Sequence, residues 1–182
     1  MKCNAKVTIP GTSEANVAPM PISTFSCPSF LGALCAAPLA RLASWYMRRR
    51  TPDLVIQENY MERWHILRTR FLCIYLHVYS GGDNKRMLHD HPWWNWSYIL
   101  SGWYGEEDRE RNLTYLSQGC TLRRHAETPH RIVSCSPGTI SLFVTGPRSR
   151  IWGFICRDGW KPYYELRELK DGKSVFKTED CA

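Results

Sequence analysis

Three histidines have the type and spacing to bind a metal ion: His89 and His91, one residue apart, and His130 further along the chain. Side chains alternate between the two faces of a strand, so His89 and His91 share one face if their segment is extended. A third imidazole from a distant strand would then complete the site. Imidazole binds zinc, copper, iron and nickel, which favours a transition metal over calcium or magnesium.

The alternative for the His89–His91 pair is a solvated loop in which both imidazoles are ordinary polar groups. The surrounding sequence favours ligands, because strand-like segments flank the pair and glycines at 102 and 119 mark turns before His130. Asp90, between the two histidines, would point outward and is a poor ligand.

The elements that must position these residues are strands. Short runs of aromatic and β-branched residues are separated by turn-forming Gly, Pro, Asn and Asp. Short strands without long helices between them predict a sandwich or a small barrel. The predicted strands cover residues 63–67, 71–79, 97–100, 139–144 and 151–155.

The rest of the chain predicts tails and one helix. The first residues are rich in Pro, Ser and Thr, which indicates a flexible tail. An amphipathic helix follows, with Leu39, Leu42, Trp45 and Tyr46 as its apolar stripe. We expect it to pack on the barrel and favour this over a membrane-surface helix. The predicted organisation is a tail over 1–27, a helix over 28–50, a β domain over 51–170 and a C-terminal tail over 171–182.

Composition narrows the class of protein. The chain has 182 residues, 43% of them hydrophobic, which suits one folded domain. No apolar run approaches the ~20 residues of a membrane-spanning helix. The net charge of +7 favours partners that carry carboxylate or phosphate. Nucleic acid is not expected, because no recognised binding motif is present.

The eight cysteines are scattered singly, without the dense framework of small secreted domains. We therefore expect a reducing, cytoplasmic location in which several cysteines are small core residues. The first twenty-five residues contain no apolar stretch, so a secretory signal is not expected.

Aligned on its histidines, the chain resembles the cupin superfamily. The first cupin motif reads glycine, five residues, His-x-His, three or four residues, glutamate, six residues, glycine. Here His89, His91, Asn95 and Gly102 fall at those spacings, with Asn95 at the place of the glutamate and Asp83 at that of the leading glycine.

The second motif reads glycine, five residues, proline, one residue, glycine, two residues, histidine. Gly119 and His130 match its outer places, whereas His125 and Glu127 stand at the inner proline and glycine. Across about residues 48 to 165, the chain is similar to a family of small uncharacterised cupin proteins from bacteria and their phages. The segments that carry this similarity are 63–64, 75–77, 89–93, 130–132, 145–147 and 152–154.

The resemblance implies an all-β double-stranded β-helix (a jelly-roll barrel) with a short N-terminal helix and a flexible tail. It also implies a metal site formed by His89, His91 and His130. Cupins commonly complete the site with the motif glutamate, but Asn95 is a weaker, neutral ligand. We therefore expect three neutral ligands, open positions for water or substrate, and a net 2+ centre that attracts an anionic substrate.

Iron(II) is the favoured metal, because three-histidine cupin sites resemble those of the thiol dioxygenases, whose first motif also reads His-Asp-His. Zinc, manganese and nickel are the alternatives. The 2-oxoglutarate oxygenases rank lower, because they require a carboxylate at the place of His91.

Further candidates surround the metal site. His77 lines the pocket if the face it shares with Tyr75 is interior, which the alternation alone does not decide. Arg124, Arg148 and Arg150 are candidate anion anchors, and we select His77, Arg124 and Arg150 as catalytic candidates. His125 is either a fourth ligand or, as we favour, a surface residue.

Together these features predict a metal-dependent, dioxygenase-like enzyme that acts on a small anionic substrate and forms a homodimer. The alternatives are a zinc or manganese isomerase or hydrolase, and a non-catalytic cupin module that binds an anionic metabolite or nucleotide. A third class, a protein-interaction subunit, rests only on the helix and the tail.

Overall fold

Strands are the main secondary structure of the described residues, as the aromatic and β-branched segments predict. The structure, a computed structural model, describes residues 23–26, 30–56, 60–81, 87–170, 173–176 and 181. In chain order the elements are β1 (Ser23–Ser26), α1 (Phe30–Met47), β2 (Leu54–Ile56), β3 (Met61–Arg68), β4 (Cys73–Tyr79), β5 (Asn95–Ser101), β6 (Trp103–Asp108), β7 (Leu113–Ser117), β8 (Thr121–Arg124), β9 (His130–Cys135), β10 (Thr139–Thr145), β11 (Gly153–Cys156), β12 (Gly159–Pro162), β13 (Arg167–Lys170) and β14 (Lys173–Phe176).

Two sheets form the barrel. The larger has the strand order β2-β3-β4-β10-β5-β8, and the smaller has the order β1-β7-β6-β9. All pairs are antiparallel except β1 with β7, and two further hairpins pair β11 with β12 and β13 with β14. The predicted all-β double-stranded β-helix with one N-terminal helix is therefore confirmed.

The main apolar core lies between the two sheets. It joins side chains of β3, β4 and β5 in the larger sheet to those of β6, β7 and β9 in the smaller one. Burial of this apolar surface is the principal force that holds the sheets face to face. The core residues are Tyr60, Met61, Tyr79, Ile99, Tyr104, Leu116, Cys120 and Ile132.

The helix α1 packs on the outer face of the larger sheet through its alanines. Ala36 and Ala43 are buried in a cluster with sheet residues that include Tyr98. The predicted apolar stripe is wrong in part, because Leu42 is 60% and Trp45 48% exposed, whereas Tyr46 is half-buried against this cluster. Small side chains let the helix backbone approach the sheet closely, so the alanine face packs inward. In the described part of the chain, no helix is both long enough and apolar enough to cross a membrane.

A glycine turn links the two sheets at Gly102, between β5 and β6. Its φ of 77° is a left-handed conformation that glycine adopts without strain. A Cβ atom there would lie 2.5 Å from Oγ1 of Thr139. The chain turns here at the motif glycine, as the sequence predicts.

Each predicted tail contains a short strand. Within 1–27, residues 23–26 form β1; within 171–182, residues 173–176 form β14. A disulfide bond between Cys156 and Cys181 also joins the C-terminal segment to β11, which contradicts the expectation of reduced cysteines for this pair. The remaining residues of both predicted tails lie outside the described part of the chain.

Candidate metal centre

The three predicted metal-binding histidines come together. One ring nitrogen from each of His89, His91 and His130 lies within 4.8 Å of the other two. The Nε2 atoms of His91 and His130 are 2.9 Å apart, a separation that one ion about 2.1 Å from each nitrogen can span. His89 is held at an isolated bridge, where it exchanges backbone hydrogen bonds of 3.2 and 3.0 Å with His130. This bridge to β9 takes the place of the expected regular strand.

Contacts at Nδ1 orient two of the three rings. Nδ1 of His89 lies 3.2 Å from the carbonyl oxygen of Met87, and Nδ1 of His130 lies 3.3 Å from Oε2 of Glu106. An acceptor beside Nδ1 favours the tautomer with its proton there, which leaves the Nε2 lone pair for a metal.

Glu106 belongs to a buried ion pair with Arg124. The Nε atom of Arg124 donates to Oε1 of Glu106 at 3.2 Å, and its Nη2 contacts Oε2 of the same carboxylate. Burial raises the pKa of Glu106, but the Arg124 guanidinium and His130 outweigh that effect and lower the pKa to about 2. The Glu106 carboxylate therefore stays ionised on the Nδ1 side of the His130 ring.

Asn95, at the place of the motif glutamate, also contacts Arg124. Its Oδ1 accepts a hydrogen bond of 3.1 Å from Nη1 of that arginine. The interior carboxylate comes instead from Glu106 on β6, a residue that sequence reasoning missed. The alternation of Tyr104 and Glu106 after the turn at Gly102 was a local signal that could have identified it.

Aromatic side chains enclose the histidines. The Trp93 ring stacks on His91 at a centroid distance of 4.8 Å, and Trp152 and Phe154 contact His89 at 6.4 and 6.3 Å. Burial lowers the pKa of His91 well below its usual value, and the charges of neighbouring histidines and of two arginines lower it further. His91 is therefore neutral at pH 7, as a metal ligand requires.

His77 lies on the face of β4 that points into the barrel. The alternation of residues along this strand did not decide which of its two faces is interior. Nε2 of His77 accepts a 2.9 Å hydrogen bond from Nε of Arg63, and its ring stacks on Phe143 at 4.8 Å. Burial and the charge of Arg63 hold its pKa well below the usual range. The Phe143 ring also contacts the Trp93 ring at a centroid distance of 5.9 Å. His77 and Arg63 are thereby connected to the aromatic residues around the metal site. Sequence reasoning did not select Arg63 as a site residue, although the segment 63–64 is among those that carry the family resemblance.

Asp90 is not part of the histidine cluster, as expected of a poor ligand, but its side chain is buried and not exposed to solvent. Its carboxylate accepts hydrogen bonds from the Gly153 backbone N–H at 2.6 Å and from Nε1 of Trp160 at 2.8 Å. It also forms an ion pair with Arg150. Among the predicted anion anchors, Arg124 and Arg150 thus both have a protein carboxylate as partner.

Two further candidates lie at the surface. His125 and Arg148 are both exposed, and His125 does not belong to the cluster of three histidines. The favoured surface position of His125 agrees with this placement.

The donor set fits a divalent metal ion. Three imidazoles converge, an oxygen acceptor lies beside Nδ1 of two of them, and for His130 that acceptor is a buried carboxylate. Such carboxylate or carbonyl partners typically accompany histidine ligands in metalloproteins. Which metal is bound does not follow from three imidazoles alone.

Comparisons with known proteins concern the fold. No protein-family model matches the sequence, and no curated protein matches it. The DMSP lyase DddQ from Ruegeria pomeroyi is 14% identical with a TM-score of 0.50, over 77% of this chain and 80% of that one. KdgF from Halomonas sp. is 19% identical with a TM-score of 0.47, over 57% and 91%. An RmlC-like cupin from Shewanella frigidimarina is 15% identical with a TM-score of 0.46, over 55% and 87%. The chain has the double-stranded β-helix fold of the cupin superfamily.

Proposed function

We propose that this protein is a mononuclear metal-dependent enzyme in which His89, His91 and His130 bind a divalent transition metal. The observation that carries the proposal is the convergence of three imidazole nitrogens within 4.8 Å in a partly buried, aromatic-lined site. The carboxylate of Glu106 beside Nδ1 of His130 supports it, because such a contact orients a ligand and raises its basicity.

We further infer iron(II) as the metal and a reaction of dioxygen with a small anionic substrate. Three neutral ligands leave coordination positions open and keep the full 2+ charge of the ion. When bound, iron(II) supplies a Lewis-acidic centre and electrons for the reduction of dioxygen. The positive charge of Arg63 acts on His91 and favours an anionic substrate, whereas the charge of Arg124 is balanced by Glu106.

The protein side chains have distinct roles in this proposal. Glu106 and the carbonyl of Met87 keep protons on Nδ1 of His130 and His89. The Trp93 ring excludes water from one side of His91, which strengthens the electrostatic interactions within the site. His77, held neutral beside Arg63, accepts the Nε hydrogen bond of that arginine and thereby orients its guanidinium.

Metal analysis tests the ligand set. Protein purified without chelator should contain about one equivalent of a transition metal, and His91→Ala or His130→Ala should contain less than about a tenth. The exposed His125→Ala is the matched control and should retain the metal. A wild-type content below about a tenth of an equivalent would contradict the proposal.

Oxygen uptake tests the reaction class. Iron(II)-loaded protein supplied with small carboxylates, thiols and phosphate esters should consume dioxygen faster than the His91→Ala variant under the same conditions. If the bound metal is zinc or manganese and dioxygen is not consumed, an isomerase or hydrolase becomes the better assignment.

A further inference from the structure

A pocket on the outer face of the barrel contains three arginines. It has a volume of about 200 Å³ and is lined by Leu88, Arg109, Arg111, Arg131, Ile155 and Cys156. No carboxylate is among these lining residues in the described part of the chain.

The pocket is separate from the metal centre, although the two share strands. Leu88 precedes His89, Arg131 follows His130, and Ile155 follows Phe154. Because successive side chains in extended segments point to opposite faces, these residues face outward where their neighbours face the histidine cluster.

Ion pairs position two of the arginines. The Arg131 guanidinium contacts Oε2 of the buried Glu107 at 2.6 Å, and Nη1 of Arg111 contacts Oε1 of the same carboxylate at 3.3 Å. Glu107 thus holds Arg131 and Arg111 beside each other, and together with Arg109 they bring three guanidiniums to the pocket.

The turn between β6 and β7 is itself held in place, which pre-organises Arg109 and Arg111. The Asp108 carboxylate accepts hydrogen bonds from the backbone N–H of Asn112 at 2.9 Å and from its side chain at 3.0 Å. The Arg111 backbone N–H donates to the Asp108 carbonyl at 3.2 Å. The carboxylate of Asp108 is thus directed into the turn, and Glu110 is exposed.

We propose that this arginine pocket binds the phosphate group of a small phosphorylated molecule. A phosphate monoester carries about −1.5 to −2 charges at pH 7, and several guanidiniums that line one pocket attract such a group. Guanidinium donors bind phosphate oxygens in a bidentate geometry. The volume is below the roughly 300 Å³ of the smallest drug-sized sites, so it suits a compact ligand. Leu88 and Ile155 offer apolar surface to its carbon skeleton.

Calorimetric titration of the full-length protein with glycerol phosphate, and separately with inorganic phosphate, tests the proposal at constant ionic strength. Both should bind saturably, and Arg109→Gln should weaken the affinity at least about tenfold. Arg109 is exposed, so its replacement should leave folding intact. Arg68→Gln, an exposed arginine on β3, is the matched control and should bind like the wild type.

A His91→Ala variant distinguishes this pocket from the metal centre. Binding of glycerol phosphate should persist in that variant, because the pocket lies on the opposite face of the strands. Absence of saturable binding, equal affinity in Arg109→Gln, or loss of binding in His91→Ala would each overturn the proposal. Tighter, steeply salt-dependent binding of a single-stranded oligonucleotide would also overturn the assignment to a small molecule.

Discussion

At the scale of single residues, Glu106 connects fold stability with the metal site. Its carboxylate is the partner of the buried Arg124 and also lies 3.3 Å from Nδ1 of His130. A buried guanidinium without a counter-ion is strongly unfavourable, so the carboxylate is needed even when no metal is bound. The same charge selects the His130 tautomer that presents Nε2 to a metal.

The substitution Glu106→Gln should therefore have two effects. The free energy of unfolding should fall by about 3–5 kcal/mol, because Arg124 remains buried without its counter-ion. Metal affinity should fall about 10–100-fold, because the partner of His130 is lost. Urea denaturation and competition with a chromophoric chelator measure the two quantities.

Glu107→Gln is the control for the effect of Glu106→Gln on metal affinity. Glu107 is the next residue of β6 and pairs with Arg131 on the outer face, so its replacement should leave metal affinity unchanged. Equal metal affinities in the wild type and Glu106→Gln would show that the carboxylate does not support His130.

At the scale of elements, the β11–β12 hairpin closes one side of the metal site. Asp90 holds this hairpin through the backbone of Gly153, the Trp160 indole and the Arg150 guanidinium. The hairpin in turn brings Phe154 against His89. Asp90, the middle residue of the His-Asp-His triplet, is thus directed away from the metal position. Its hydrogen bonds hold the β11–β12 hairpin, which covers the metal site.

Asp90→Asn keeps the shape of the side chain but removes its charge. The free energy of unfolding should fall by about 1–3 kcal/mol, because hydrogen bonds to a charged acceptor are weakened and Arg150 loses its counter-ion. Metal affinity should also decrease as the hairpin loosens. Asp158→Asn, an exposed partner of Lys161 in the same hairpin, should change neither quantity. Equal effects of the two substitutions would contradict the role of Asp90.

At the scale of the whole molecule, the barrel interior is polar at one end and apolar at the other. On β5 the inward side chains pass from Asn95 and Ser97 to Ile99, and on β9 from His130 to Ile132. The apolar end supplies most of the burial energy. The polar end contains the ion pair and the histidines, so its stability depends on pH.

Acid should destabilise the protein within a defined pH range. The pKa of Glu106 is about 2 in the folded protein, against an ordinary value of 4.5. Between these values the unfolded chain binds more protons, so stability present above about pH 4.5 is lost as the pH falls towards 2. The loss from this group should be about 3 kcal/mol. Urea denaturation of metal-free protein across this range measures it, and Glu106→Gln should show a shallower decline than the wild type.

Local patterns in the sequence predicted the strands β3, β4, β5, β10 and β11, the turn at Gly102 and the candidate histidines, but not the strands β6 to β9. Each predicted feature depends on alternation or spacing over a few residues, which is why it could be predicted. Only the tertiary structure decided that Glu106 stands behind His130, that Asp90 is buried, and that α1 packs through its alanines rather than through its leucines. These features depend on which strands become neighbours and how closely elements approach. Contacts between residues far apart in the chain determine both, and the local sequence pattern does not encode them.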